Sequence, residues 1–246
     1  MARVTRREVL AGTAALALAN RFTSAEIIQG KLPVPSPQPL PTPVAGSGWR
    51  FFTATEGATL EAVVDRLIPP DPATPGGKDA GCAVFIDRQM AGGYGHHAGL
   101  YNLGPFQKGT EQQGPQSQQD PAQQYRAALA ALDRHAQSLQ GASGKVTSFA
   151  GLSAEQQDTV LRGVEDGSVA LEGLEGKEFF KNLLTDVQQG FFADPLYGGN
   201  KDMCAWKMIG FPGARYDYRD WVSRHNEAYP HPPVSIQGRA AWTPKG

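Results

Sequence analysis

Two cysteines, five histidines and one glycine-rich stretch are the parts of this 246-residue chain whose composition invites a chemical reading. The stretch Pro195 to Gly213, PLYGGNKDMCAWKMIGFPG, gathers four glycines, one tryptophan, one cysteine and two methionines. Loop glycines can cradle phosphates, but no Gly-x-Gly-x-x-Gly follows a strand and no Gly-Lys-Ser/Thr is present, which argues against a nucleotide loop. No Gly-x-Ser-x-Gly elbow and no Cys-x-x-Cys-His haem-attachment site occurs either. By composition the stretch is first of all a tight turn, with Gly198-Gly199 supplying positive φ and Trp206, Met208 and Ile209 entering the core. Its second reading is a docking surface, because Trp, Tyr and Met are favoured at the centres of interfaces.

His96 and His97 lie in GGYGHHAG, where a metal would need a third ligand such as His135, His225 or a carboxylate. Adjacent histidines point apart on an ordered element, so the pair reads as a surface loop facing solvent or a partner. A metal-assisted enzyme working alone through His96 and His97 is the alternative function. Cys82 and Cys204 carry three readings: an internal disulfide, a bond to a partner subunit, or two buried reduced thiols. The internal bond would close a loop of over a hundred residues and could contribute on the order of 4 kcal/mol.

The elements that must position these residues read as helices. Leu60, Val63, Val64, Leu67 and Ile68 form one amphipathic stripe, capped by Thr53 or Thr55 and ended by Pro69-Pro70. A second helix is expected from Asp79 to Met90, with Val84, Phe85 and Ile86 as its apolar content. Gly92 to Gln119 is rich in Gly, Gln and Pro and reads as a long surface loop. Asp120-Pro121-Ala122-Gln123 then opens a helix expected to reach Gln140, with Tyr125, Leu129, Leu132, Ala136 and Leu139 as its stripe. Ser153-Ala154-Glu155-Gln156 opens another, stopping near Gly167, and a further helix carries Phe179, Phe180, Leu183, Leu184 and Val187 to an end at Gly190. No segment alternates with a period of two. The expected class is therefore all-α, an irregular helical domain with long loops and a Pro- and Gly-rich C-terminal segment.

Ahead of this domain, expected over 49–246, stand two other regions. Residues 1–30 hold a basic stretch, an apolar run from Val9 to Ala19 and the small-residue pattern Ala17-Leu18-Ala19, which together read as an export signal. Thr5-Arg6-Arg7-Glu8-Val9-Leu10 resembles the twin-arginine consensus. The apolar run is far shorter than the ~20 residues a membrane-spanning helix needs. Residues 31–48 place Pro at 33, 35, 37, 39, 41 and 43, a polyproline II spacer with a reach of roughly 50 Å. A formal net charge of -1, with a +2 N-terminal stretch, leaves the body weakly acidic, without an electrostatic footprint for nucleic acid. Twin-arginine cargo is usually folded around a cofactor before export, yet this chain has no cofactor motif of its own.

The stretch DPLYGGNKDMCAWKMIGFPG resembles the signature of the gluconate 2-dehydrogenase subunit 3 family, as do Leu60 to Gly95 and Leu152 to Leu161. The resemblance implies the small or gamma subunit of a periplasmic, inner-membrane-associated sugar or sugar-acid dehydrogenase. Its partners would be a large FAD-containing flavoprotein, a multihaem cytochrome c carrying haem c, and the twin-arginine translocase, with no cofactor in this chain. The implied role is an accessory subunit without an active site, serving export, folding and stabilisation of the flavoprotein. Only the motif positions Tyr197, Gly198, Gly199, Asn200, Trp206, Gly210, Phe211, Pro212 and Gly213 carry over, as a docking or structural loop. A purely structural periplasmic binding module is the third possibility.

Overall fold

A computed structural model describes residues 48–100, 104–107, 109–113, 117–139, 146–215 and 218–236. The signal region with Arg6 and Arg7, and the proline spacer up to its last residue, lie outside the described residues. The described residues form six α-helices: α1 Ala54–Leu67, α2 Cys82–Met90, α3 Pro121–Leu139, α4 Ala154–Asp166, α5 Gly176–Phe192 and α6 Cys204–Ile209. The described residues form no strand, only an isolated bridge between Gly213 and Val234, and the class is all-α.

Helix starts follow local side-chain chemistry. Thr53, the first of the two threonines expected to cap α1, accepts from Glu56 N at 3.3 Å while Glu56 accepts from Thr53 N at 2.8 Å. Asp120 and Gln123 make the same reciprocal pair at the start of α3, at 2.7 and 3.2 Å, and Ser153 and Gln156 repeat it for α4. Each box satisfies two backbone donors that the first turn would otherwise leave without partners. At the other end of α4, Gly167 takes φ 84° and stops the helix.

Two expected boundaries and one expected burial are corrected. α2 begins at Cys82 and not Asp79, because Gly81 adopts φ 84°, which no helix interior accepts. α5 continues past Gly190 to Phe192; the glycine sits inside the helix because α2 packs there, and a Cβ would lie 3.0 Å from the Phe85 ring. Leu139, expected to close the buried stripe of α3, is exposed at the end of that helix, whereas Tyr125, Leu129, Leu132 and Ala136 are buried.

α5 lies against α2 and α4, and α1 against α2, α3 and α4, so one apolar core collects Leu60, Val63, Ile86, Leu132, Val160 and Val187. Carboxylates tie the remaining chain to it. Buried Asp87 accepts from the backbone N–H of Arg50, Phe51 and Phe52 at 2.9, 2.9 and 3.0 Å and pairs with Arg88, fixing the entry to α1. Asp186 of α5 accepts from Tyr125 Oη at 2.7 Å and from Tyr94 Oη at 3.1 Å, which anchors the first part of the long loop. Burial raises the Asp186 carboxyl above its usual range, and the two tyrosine hydrogen bonds oppose that rise. No described helix is long and apolar enough to cross a membrane.

Candidate functional site

The glycine-rich loop begins where α5 ends. Asp194 accepts from Leu196 N at 2.9 Å and so starts the turn Pro195–Tyr197, which Gly198 closes. The same carboxylate accepts from Ser235 Oγ at 2.8 Å and Ile236 N at 2.7 Å, fastening the C-terminal segment to the loop. Gly199 passes directly over α5, so close that a Cβ there would stand 2.0 Å from the Gly190 carbonyl oxygen. Only glycine allows that approach. On its other side the loop meets the start of α2, with Lys201 N donating to Ala80 O at 3.0 Å.

Asn200 is the hub. It is fully buried, its Nδ2 donates to Ala193 O at 2.9 Å, and its Oδ1 accepts from Ala205 N at 2.9 Å and from Cys204 Sγ at 3.8 Å. Its backbone is left-handed at φ 44°, followed by Asp202 at 55° and Met203 at 57°. Three such residues within four positions hold a conformation that costs roughly 1–2 kcal/mol for an ordinary L-residue, and the surrounding hydrogen bonds must hold it in place.

The loop then rises into α6. Trp206 is buried, donates through Nε1 to Phe192 O at 2.9 Å, and meets the Phe211 ring edge-on at 5.2 Å. Gly210 ends α6 at φ 69°, and Phe211 N returns to Trp206 O at 2.9 Å. Pro212 O accepts from Val234 N at 3.2 Å, and Gly213 forms the bridge to Val234. The expectation that Met208 and Ile209 enter the core together with Trp206 is corrected. A six-residue helix has one core-facing side, which Ala205 and Trp206 occupy, and Met208 and Ile209 stand exposed, as does Tyr197 at the loop's opening turn.

The cysteines flank this loop. Cys82 is the first residue of α2 and Cys204 the first of α6, and both are free thiols. Burial pushes the Cys82 thiol up to about 12, with neighbouring Cys204 adding to the effect, and burial also raises Cys204. Both thiols are therefore poor nucleophiles at neutral pH. His96 Nδ1 lies 3.2 Å from Asp120 Oδ2 on the surface, His97 sits beside it at φ 51°, and among the described residues no three His, Cys, Asp or Glu side chains converge on one point. An open groove of about 330 Å³ between α3 and α4 is lined by His135, Leu139, Glu155, Gln156, Thr159, Val160 and Val169.

Sequence reasoning picked out the loop but missed what holds it. Asp194 was legible only as a turn former, since its second role depends on Ser235 and Ile236, some forty residues away. The Tyr94–Asp186–Tyr125 set had no sequence signal, because its members come from three separate segments. Chemically, the loop offers apolar side chains and a rigid backbone, which suit it to recognition of another surface.

A profile of the family described as gluconate 2-dehydrogenase subunit 3 matches residues 54–213, most of the chain and all of this loop. No curated protein and no solved structure matches the chain.

Proposed function

This chain belongs to the gluconate 2-dehydrogenase subunit 3 family, a subunit of a multi-subunit dehydrogenase complex, and we propose that it is the complex's accessory, export-escorting subunit. In this reading the catalytic partner is a large flavoprotein holding FAD. A multihaem cytochrome c takes the electrons, and the assembly works in the periplasm against the inner membrane. The small subunit supplies the twin-arginine signal, Arg6-Arg7, and carries the folded, FAD-loaded partner through the translocase. It also stabilises that partner, and it contributes no group to the oxidation itself.

One observation supports the proposal: an N-terminal stretch that resembles the twin-arginine consensus precedes a domain of this family whose glycine-rich loop buries Asn200 and Trp206 and leaves Met208 and Ile209 exposed. A signal for folded cargo has a physical purpose when a bulky cofactor must be enclosed before transport, and a partner bound through such a loop would be that cargo. The test is Arg6→Lys combined with Arg7→Lys in the native host. Dehydrogenase activity and flavin should accumulate in the cytoplasm and fall by an order of magnitude or more in the periplasmic fraction. Periplasmic activity equal to wild type would remove the escort role.

A further inference from the structure

Cys82 and Cys204 are far apart in the chain, and the fold brings them to one place. Lys201 N donates to Ala80 O at 3.0 Å, and Gly81 runs so near the glycine-rich loop that a Cβ there would stand 2.5 Å from Gly198 O and 3.7 Å from Gly199 Cα. The chain just ahead of Cys82 therefore lies against the chain just ahead of Cys204. From this crossing each cysteine opens a helix, Cys82 as the first residue of α2 and Cys204 as the first of α6. Both meet the same apolar core: Cys82 is fully buried in it together with Ala205, and Cys204 packs on its edge. A negative charge on Cys204 also raises the Cys82 thiol, an effect that acts between near neighbours. Cys204 Sγ donates to Asn200 Oδ1 at 3.8 Å, a weak bond that rotation about χ1 gives up at little cost.

We infer that Cys82 and Cys204, thiols in this structure, are a redox pair that closes to an intramolecular disulfide and clamps α6 and the glycine-rich loop to the start of α2. This is the internal pairing among the three that spacing left open, and it holds whether or not the accessory-subunit reading does. The oxidant is an external disulfide. Cys204, the partly exposed member, gives its proton to solvent, and its thiolate attacks one sulfur of that disulfide, expelling the other as a thiolate that takes up a proton. Cys82 then gives up its proton and attacks Cys204 Sγ, breaking the mixed disulfide and releasing the second thiol. Two electrons pass from the cysteine pair to the oxidant, and the two protons lost by the cysteines balance the two gained by the released thiols. Because burial raises both thiols, the exchange quickens as pH rises. The bond would tether the far end of the left-handed run Asn200, Asp202 and Met203, which immediately precedes Cys204.

To test the pairing, the reduced full chain is equilibrated at pH 8 with mixtures of reduced and oxidised glutathione, both folded and unfolded in urea, then quenched in acid. Intact mass and non-reducing peptide mapping read the products. The folded chain should lose two hydrogens, yield one peptide pair joined through Cys82 and Cys204, and show an effective thiol concentration at least about tenfold above that of the unfolded chain. The upper bound is roughly a thousandfold, the factor by which closing so long a loop without strain favours the folded state. Cys82→Ala should stop at a glutathione adduct on Cys204, and Cys204→Ala should leave Cys82 unmodified while folded. A folded effective concentration less than about tenfold above the unfolded one would mean that the fold does not bring the sulfurs together, and the pairing is wrong. It is equally overturned if wild type stops at an adduct on Cys204 with Cys82 still a thiol, or if Cys204 links two copies of the chain.

Discussion

Asn200 illustrates how one side chain can decide a loop. Both ends of its amide are used inside the protein, so Asn200→Ala strands Ala193 O and Ala205 N and also places an alanine at φ 44°. The expected loss is about 2–4 kcal/mol in urea unfolding, from the unsatisfied buried groups together with the left-handed angle. A loss under ~1 kcal/mol would mean that water or a backbone shift replaces the amide. The thiols make a second prediction at this scale. With Cys82 fully buried and its pKa pushed to about 12, a small alkylating reagent at pH 8 should label partly exposed Cys204 at least ~10-fold faster, as read by peptide mass spectrometry. Equal rates would show that the loop opens readily. The sequence left these cysteines among three readings because spacing alone says nothing of where two thiols end up; the fold brings them to adjoining elements.

At the scale of elements, the capping boxes were legible because Asp120/Gln123 and Ser153/Gln156 are local, three residues apart. The end of α5 was not legible, since Gly190 reads as a stop unless α2 is known to press against it. The glycine-rich loop crosses α5 at the same residue, and this predicts the outcome of Gly199→Ala, whose new methyl would collide with the Gly190 backbone, a contact no side-chain rotation relieves. The loop must move off α5, and the expected result is a stability loss of about 3 kcal/mol or more with altered tryptophan fluorescence from Trp206. Wild-type stability and emission would contradict the close approach. Asp194 acts between elements in a different way. Asp194→Ala removes three hydrogen bonds to 196, 235 and 236, and hydrogen exchange should rise over 213–236 by at least tenfold while α1, α3 and α4 keep their protection. Unchanged exchange there would place the anchor of the C-terminal segment elsewhere.

For the whole molecule, Asp186 joins α5, α3 and the turn at Tyr94 through one buried carboxyl, and its raised pKa gives stability a pH dependence of definite sign. The folded state favours the protonated form, so this contribution is complete below the ordinary aspartate value of ~3.9 and is lost as pH rises through the folded pKa. Urea unfolding of wild type and Asp186→Asn between pH 4 and neutrality isolates it: the stability advantage of wild type over the variant should shrink as pH rises. An advantage that grows with pH would reverse the assignment. Arg66 and Asp158 act in the opposite sense, since their hydrogen-bonded pair lowers the Asp158 carboxyl and its contribution disappears in acid; comparing the two proteins cancels that term. What the sequence determined by itself was the all-α class, the capped starts of α1, α3 and α4, and the stripes of α1 and, Leu139 apart, α3, because capping and 3.6-residue periodicity act over a few positions. The resemblance of Asp194–Gly213 to its family was legible for the same reason, being a contiguous string. Only the tertiary structure decided that Asn200 locks the loop, that Asp194 and Asp186 tie distant segments, and that α6 turns Met208 and Ile209 outward while burying Trp206. These outcomes depend on which surfaces compete for the core and on partners dozens of residues away, and no local pattern encodes that competition.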